Sequence, residues 1–239
     1  RNPWGRYSFI GINPKAEISI KNGTATFLKN GESKLSTISN PIAFLSEILD
    51  EYKSPRFSDR PKLTGGLIGY FAYDTVRYFE KTLKNPPKDD LNIPDVDLFL
   101  YDEIIAFDHL SNKAVIILNI HSSNVEKQYA DCEIRSDEIA DILINYIPEK
   151  REKTIGKEIT VTSNITKEQY VENVLKAKEY IRNGDIFQVV PSQRFEIENP
   201  PDSFDVYRML RSANPSPYLY YFKHKDYCIA GASPEMLVN

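Results

Sequence analysis

The chain has 239 residues, is 41% hydrophobic and 27% charged, and carries a formal net charge of -4. This balance is typical of a folded domain, and the slight acidity gives no electrostatic reason to expect nucleic acid or an anionic membrane as a partner. The apolar run 114–118 is far shorter than the roughly 20 residues of a membrane-spanning helix. Cys132 and Cys228 form no CxxC or zinc pattern, so we expect buried thiols in a reducing cytoplasm.

The first part of the chain predicts strands and two helices. Apolar alternation predicts strands over 7–12, 16–20 and 24–28, with Lys21-Asn22-Gly23 as a hairpin turn. Ser39-Asn40-Pro41 predicts a helix start, because asparagine caps a helix and proline suits its first turn. The stretch LTGGLIGYFAYDTVRYFE predicts a strand that contains glycines and then a short helix capped by Asp74. Residues 97–107 and 113–120 predict one long hairpin, and 125–146 a helix.

The charged segment 149–162 predicts a linker between a domain at 1–148 and a second domain at 163–239. Thr166 and Gln169 fit a capping box, and Gly184 suits the end of that helix. The remaining pattern predicts strands over 186–190 and 193–197, a helix over 204–212 and a hairpin of strands 218–223 and 227–232.

Hairpins dominate this pattern, which predicts an α+β fold with large, mostly antiparallel sheets in a sandwich with flanking helices. Both ends of the chain fall close to predicted strands. Since a complete domain covers its sheet edges, we expect a fragment whose second domain is truncated.

The motif GGLIGY at 65–70 has two interpretations. Its glycines suggest a phosphate-binding loop, but it lacks the spacing of the known phosphate-loop motifs. Alternatively, the glycines let a strand bend or pack closely against another backbone.

Two polar residues lie among apolar neighbours in the second domain. Gln188 interrupts the apolar string of GDIFQVVPSQRF, so its amide either bonds across a sheet or faces a cavity and a substrate. Glu235 lies between Pro234 and three apolar residues. It is either a surface group or a carboxyl that keeps its proton at neutral pH and acts as a proton donor.

The string ANPSPYLYYF at 213–222 combines two prolines with four aromatic rings. The prolines stiffen the backbone and remove two N–H donors. The segment is therefore either the rigid entrance to an aromatic strand or a wall whose polar backbone and rings bind an aromatic amino acid.

Taken in order, RYSFIG, GGLIGYFAYDTVRYFE, GDIFQVVPSQRF, NPSPYLYYF and GASPEMLV closely resemble component I of the anthranilate synthases, which are chorismate-utilising enzymes. The resemblance covers essentially the whole chain. It implies that ammonia adds to chorismate, that the C4 hydroxyl leaves, and that pyruvate is eliminated to give anthranilate. It further implies Mg²⁺ held by glutamates beyond Asn239, so that no metal ligand is expected in this chain.

The same resemblance implies partners and site residues. The expected partners are chorismate, L-tryptophan as feedback inhibitor and a glutamine amidotransferase subunit in a heterotetramer. Glu235 matches the family's general acid, and Gln188 stands where water-activating relatives carry lysine, which favours ammonia as the nucleophile. The expected tryptophan-binding residues are Asn214, Pro217, Tyr218 and Leu219.

Two alternatives stay open. One is component I of an aminodeoxychorismate synthase of the folate pathway, which shares the amination but retains the pyruvyl group. The other is a non-catalytic fragment that only binds tryptophan.

Overall fold

The computed structural model describes residues 5–148 and 159–236. The chain divides into two compact units, 1–148 and 149–239. The linker predicted over 149–162 stays a prediction, because most of it lies outside the described residues. Its last two residues belong to a short strand, Val161–Ser163.

The elements that lie wholly within residues 5–148 are short strands, two α-helices and a 3₁₀ helix. They are β1 (Tyr7–Ile12), β2 (Ala16–Lys21), β3 (Thr24–Lys29), β4 (Glu32–Thr37), α1 (Pro41–Asp50), β5 (Gly66–Phe71), the 3₁₀ helix Tyr73–Tyr78, β6 (Val96–Tyr101), β7 (Glu103–Asp108), β8 (Lys113–Leu118) and α2 (Val125–Asn145).

These strands form two antiparallel sheets, one in the order β4-β3-β2-β6-β5 and one in the order β1-β7-β8. The core of the larger sheet lies where α1 covers it, and the buried side chains there are Ile18, Ile20, Ala25, Leu45, Val96 and Leu98. Helix α1 begins as predicted, because the Asn40 side chain accepts a hydrogen bond from the Ala43 amide and Pro41 occupies the first turn.

The predicted strand 97–107 is in fact two strands in different sheets. The first, β6, pairs with β2 and β5, whereas β7 pairs with β1 and β8. Asp102 lies at the crossover, and its carbonyl accepts hydrogen bonds from the backbone amide and the side chain of Asn119. Both strands are largely buried and mostly apolar, so their patterns join across Asp102-Glu103 into what reads as one long strand.

One further expectation for this unit was wrong, and one strand was not predicted. Asp74 does not cap the short helix, since Ala72 is its N-cap and the Asp74 carboxylate instead accepts from Arg77 Nε at 2.9 Å. Strand β4 was missed because its polar sequence, ESKLST, lies at a sheet edge with little apolar alternation. The Asn30-Gly31 turn before it is the signal that was available.

The second unit contains β9 (Val161–Ser163), α3 (Lys167–Asn183), β10 (Phe195–Ile197), α4 (Ser203–Ala213), β11 (Tyr218–Lys223) and β12 (Cys228–Ser233). The capping box at Thr166 and Gln169 is confirmed, and Gly184 ends α3 with φ of 80°. The strands form two separate antiparallel pairs, β9 with β10 on either side of α3, and the hairpin β11–β12. None of residues 159–236 is buried.

The α+β class with antiparallel sheets is confirmed. Among the described helices, none combines the length and the apolar character needed to cross a membrane.

Candidate functional site

The glycine motif at 65–70 has a structural role. Gly69 faces Leu98 across the β5–β6 ladder. A β-carbon at Gly69 would overlap the Asp97 carbonyl oxygen and lie 2.8 Å from Leu98 Cα. Gly66 has φ of 123°, a value that strains residues other than glycine. Gly65 has φ of 158°, which is close to extended backbone. The close-packing interpretation therefore holds at Gly69, within strand β5.

Two of the motifs meet in the hairpin β11–β12. The strands are antiparallel, and Tyr218 pairs with Ser233 at the open end of the hairpin. Pro217 precedes Tyr218 and Glu235 follows Ser233 by two residues, so both lie at this same end. The predicted tryptophan-binding residues and the predicted acid, which belong to consecutive motifs, are thus brought to one end of a two-stranded sheet.

The prolines determine how the chain enters this hairpin. Helix α4 ends at Ala213, and the Asn214 amide donates to the Leu210 carbonyl at 2.9 Å. The helix cannot continue easily, because the residue before a proline is disfavoured in helical conformation. Pro217 is then the last residue before β11, and its lack of an N–H does not disturb the strand ladder.

The two faces of β11 have different surroundings. Residues at alternate positions of a strand point to opposite faces. Tyr221 lies on the α4 side, where its hydroxyl is 3.0 Å from Ser203 Oγ and its ring is 5.3 Å from that of Phe204. Leu219 shares this face, whereas Tyr218 lies on the other. Tyr218 is the aromatic residue among the predicted tryptophan contacts, and its ring therefore lies on the face of β11 that α4 does not cover.

The open face also contains a close contact that the sequence analysis missed. Tyr220 pairs with Gly231, and its ring lies where a β-carbon of that residue would stand. The same ring stacks on Phe222 at 5.6 Å between centroids. A glycine opposite a tyrosine in neighbouring strands was the available signal.

Glu235 lies just beyond β12, in a turn held by Ser233. The Ser233 hydroxyl donates to the Glu235 carbonyl at 3.1 Å and is 3.4 Å from its amide. Ser-Pro-Glu after a strand is a signal for such a turn in the sequence. The Glu235 side chain is exposed, so residues 5–148 and 159–236 do not give it the apolar enclosure expected from its neighbours. Leu237 and Val238 lie outside the described residues.

Gln188 does not lie in a strand. The strand predicted over 186–190 is not formed, and Gln188 is an exposed residue of the segment between α3 and β10. Phe187 is 92% exposed beside it. The apolar pattern of a strand is present, but no described strand pairs with this segment, and an unpaired strand is not stable alone. Its predicted role stays a prediction.

Two aspartates of the first unit, Asp102 and Asp108, have shifted pKa values and belong to structural ion pairs. Burial raises the pKa of the Asp102 carboxyl, although Lys15 Nζ lies 3.3 Å away. The hydrogen bonds from Arg6 lower the pKa of Asp108 well below its usual range. No group of three or more His, Cys, Asp or Glu side chains suited to a metal occurs in the described parts of the chain.

Both cysteines are free, as expected, but only Cys132 is partly covered. Burial raises the pKa of its thiol. Cys228 is exposed on β12 with its sulfur 3.5 Å from the Tyr221 hydroxyl, so the expectation of a buried thiol was wrong there. The strand pairs only with β11 and has no second neighbour among the described residues.

Comparison with known proteins identifies the relatives of this chain. A family model described as chorismate binding enzyme matches residues 1–239. Anthranilate synthase component 1 of Acetivibrio thermocellus is 41% identical over 99% of this chain and 49% of that protein. The Saccharomyces cerevisiae protein of the same name is 38% identical over 99% of this chain and 46% of its own length.

A solved structure gives the same result. The crystal structure of anthranilate synthase component I from Streptococcus pneumoniae matches with a TM-score of 0.78 and 34% identity, over 98% of this chain and 51% of that one. This chain spans about half the length of the relatives that it matches. Because the family model extends over every residue, the chain belongs to the chorismate-binding enzymes.

Proposed function

We propose that the chain is part of the large subunit of an anthranilate synthase, which converts chorismate and ammonia into anthranilate and pyruvate as the first committed step of L-tryptophan biosynthesis. The observation that carries the proposal is a match of 36–41% identity along nearly the whole chain. The matched proteins are named anthranilate synthase component 1 in bacteria and yeast, and anthranilate synthase alpha subunit 2 in Arabidopsis thaliana. The ordered motifs extend over both units.

In this proposal Glu235 donates a proton to the departing C4 hydroxyl of chorismate. The Ser233 turn supports this role, because it fixes the backbone of Glu235. The carboxyl is exposed among the described residues, so we propose that other parts of the protein supply the enclosure that keeps it protonated. Gln188 is the residue near the path of the nucleophile. A neutral amide cannot remove a proton from water, which is consistent with ammonia as the nucleophile.

Magnesium in this reaction would hold the carboxylate of chorismate. The described residues do not fit such a site, since they contain no cluster of three or more metal-ligating side chains. Any magnesium ligands are therefore proposed to lie elsewhere in the protein.

The proposal includes feedback inhibition by tryptophan at a site walled by Asn214, Pro217, Tyr218 and Leu219. The hairpin register supports it, because Tyr218 and Ser233 are paired and the acid follows Ser233 by two residues. A ligand that moves the β11 end of the hairpin would also move the backbone of Glu235. Inhibition then requires that tryptophan bind the inactive arrangement more tightly, with a typical coupling of about 1–3 kcal/mol.

The proposed ammonia source is a glutamine amidotransferase subunit in a heterotetramer. The proposed compartment is the cytoplasm, where two free cysteines persist without oxidation. The Arabidopsis relative is named as chloroplastic.

The proposal is tested in the full-length protein with chorismate and ammonium, with anthranilate followed by fluorescence and pyruvate by a coupled assay. Glu235→Gln should lower kcat by about 100- to 10,000-fold and change KM little, because general acid catalysis acts on the transition state. Glu198→Gln, at another exposed glutamate of the second unit, is the matched control and should keep wild-type turnover.

A loss of less than about threefold for Glu235→Gln would remove the acid role, because it is far below the usual worth of general acid catalysis. Consumption of chorismate without release of pyruvate would instead indicate an aminodeoxychorismate synthase. Tryptophan binding without any turnover would indicate a non-catalytic protein.

A further inference from the structure

Three asparagines in the chain are followed by glycine, at 22–23, 30–31 and 183–184. An asparagine in this context can lose its side-chain amide, because the glycine backbone nitrogen can attack the asparagine Cγ without hindrance from a β-carbon. The attack needs an amide nitrogen that is free to lose its proton and to move. The structure differs at the three positions in this respect.

The first two positions are matched in sequence and in backbone. Each is a Lys-Asn-Gly hairpin turn, and φ is 49° and 76° for Asn22 and Gly23, against 52° and 80° for Asn30 and Gly31. Both asparagine side chains are exposed. Flanking residue and turn type therefore do not distinguish the two.

The glycine amide is held at two of the three positions. The Gly23 amide donates to the Tyr78 hydroxyl at 2.9 Å, and Tyr78 in turn donates to Asp95 Oδ2 at 2.7 Å. The Gly184 amide donates to the Ile181 carbonyl at 3.2 Å at the end of α3. Each of these bonds must break before the nitrogen can attack.

The Gly31 amide is different. Among the described residues, none accepts a hydrogen bond from it. Nothing stands within 4 Å of the place where a β-carbon of Gly31 would lie, whereas at Gly23 the Ile38 carbonyl oxygen lies 3.3 Å from that place. The turn also leads into β4, which is an edge strand with one neighbour, so on this side no second strand restrains the turn.

We propose that Asn30 is the site of spontaneous deamidation in this protein. The Gly31 nitrogen gives up its proton to solvent and forms a bond to Asn30 Cγ. The bond from Cγ to the side-chain nitrogen then breaks, and ammonia leaves with a proton from solvent. Water opens the resulting cyclic imide at either carbonyl, which gives aspartate or isoaspartate. The net reaction consumes one water and releases one ammonia, with no oxidation.

The product changes the edge of the larger sheet. Isoaspartate puts an extra methylene into the backbone of a two-residue turn, whose tight geometry sets the register of the hairpin. The new carboxylate also lies two residues from Glu32, the first residue of β4. We therefore expect modification to loosen β4 from β3 while the rest of the sheet keeps its pairing.

The test is incubation of the purified full-length protein at mildly alkaline pH, with peptide mass spectrometry at each asparagine and enzymatic methyl labelling of isoaspartate. Asn30 should react about fivefold faster than Asn22. The hydrogen bond of the Gly23 amide must break before Asn22 can react, and this lowers the deamidation rate by a factor of that order. In urea the rates at Asn22 and Asn30 should converge, since their local sequences match. Equal rates at these two positions in the folded protein would overturn the proposal.

A variant provides the reverse test. Tyr78→Phe removes the acceptor of the Gly23 amide and should raise the rate at Asn22 toward that at Asn30, which should itself stay unchanged. If Tyr78→Phe alters neither rate in a variant that keeps the wild-type circular dichroism spectrum, the hydrogen bond does not protect Asn22 and the proposal fails.

Discussion

Replacing Gly69 by alanine should destabilise the five-stranded sheet through a single backbone contact. Gly69 faces Leu98 in β6, the strand that lies between β2 and β5. Its φ is not among the positive values of this chain, so alanine can adopt the backbone conformation. The effect of the substitution therefore comes from the steric overlap of the new β-carbon alone.

The size of the effect follows from the distances. The new β-carbon would lie 2.8 Å from Leu98 Cα and 2.9 Å from the Asp97 carbonyl carbon. Carbon atoms prefer separations of about 3.5 Å or more, and the Asp97 carbonyl oxygen lies closer still, so β5 must move away from β6 by more than about 0.7 Å and weaken its ladder. Such overpacking costs about 1–3 kcal/mol, against a gain of about 0.4–1 kcal/mol from a less flexible unfolded chain. We expect a net loss of about 1–2 kcal/mol.

The assay is urea unfolding followed by far-ultraviolet circular dichroism. A loss of about 2 kcal/mol should lower the midpoint by about 1 M, given the usual slope for small domains. Gly5→Ala is the matched control, because nothing stands within 4 Å of its added carbon. Gly11→Ala should be intermediate, since the Tyr101 ring that it meets is a side chain and can rotate. Equal midpoints for the Gly69 and Gly5 variants would refute the close-packing argument.

Three further predictions concern the candidate site and the acid limit of stability. Gln188→Lys should impair amination, because an ammonium group would stand near the path of ammonia; an unchanged rate of anthranilate formation would place Gln188 outside the active site. Pro217→Ala should raise the tryptophan concentration for half-inhibition and leave uninhibited turnover nearly intact; an unchanged inhibition curve would leave this segment with a structural role only. The Arg6 guanidinium lowers the pKa of Asp108 in the folded protein. The pair therefore stabilises the fold fully above pH ~4, the pKa of aspartate in an unfolded chain, and this contribution is lost as the pH falls further. Asp108→Asn should therefore flatten the acid side of a plot of melting temperature against pH; a curve as steep as that of the wild type would show that the pair does not matter there.

The sequence by itself determined the features that depend on neighbouring residues. The turn at Asn22-Gly23, the cap at Asn40 and the capping box at Thr166 were all predicted and are all present. In each case a side chain or a glycine acts on backbone groups within a few residues, so the local pattern contains the whole cause.

The tertiary structure decided which strands pair and where they end. The two apolar stretches on either side of Asp102-Glu103 give no sign that one pairs with β2 and the other with β1. The apolar string around Gln188 resembles a strand but has no described partner. Pairing depends on residues far away in the chain, and these contribute nothing to a local pattern.

The candidate site shows the same division. The motifs named the residues, but the pairing of Tyr218 with Ser233 brought Pro217 and Glu235 to one end of a hairpin. The surroundings of Glu235 were judged wrongly from its apolar neighbours in sequence, because a turn held by Ser233 leaves its side chain exposed. A residue's environment is made by the elements packed around it, and these are determined only when the whole chain folds.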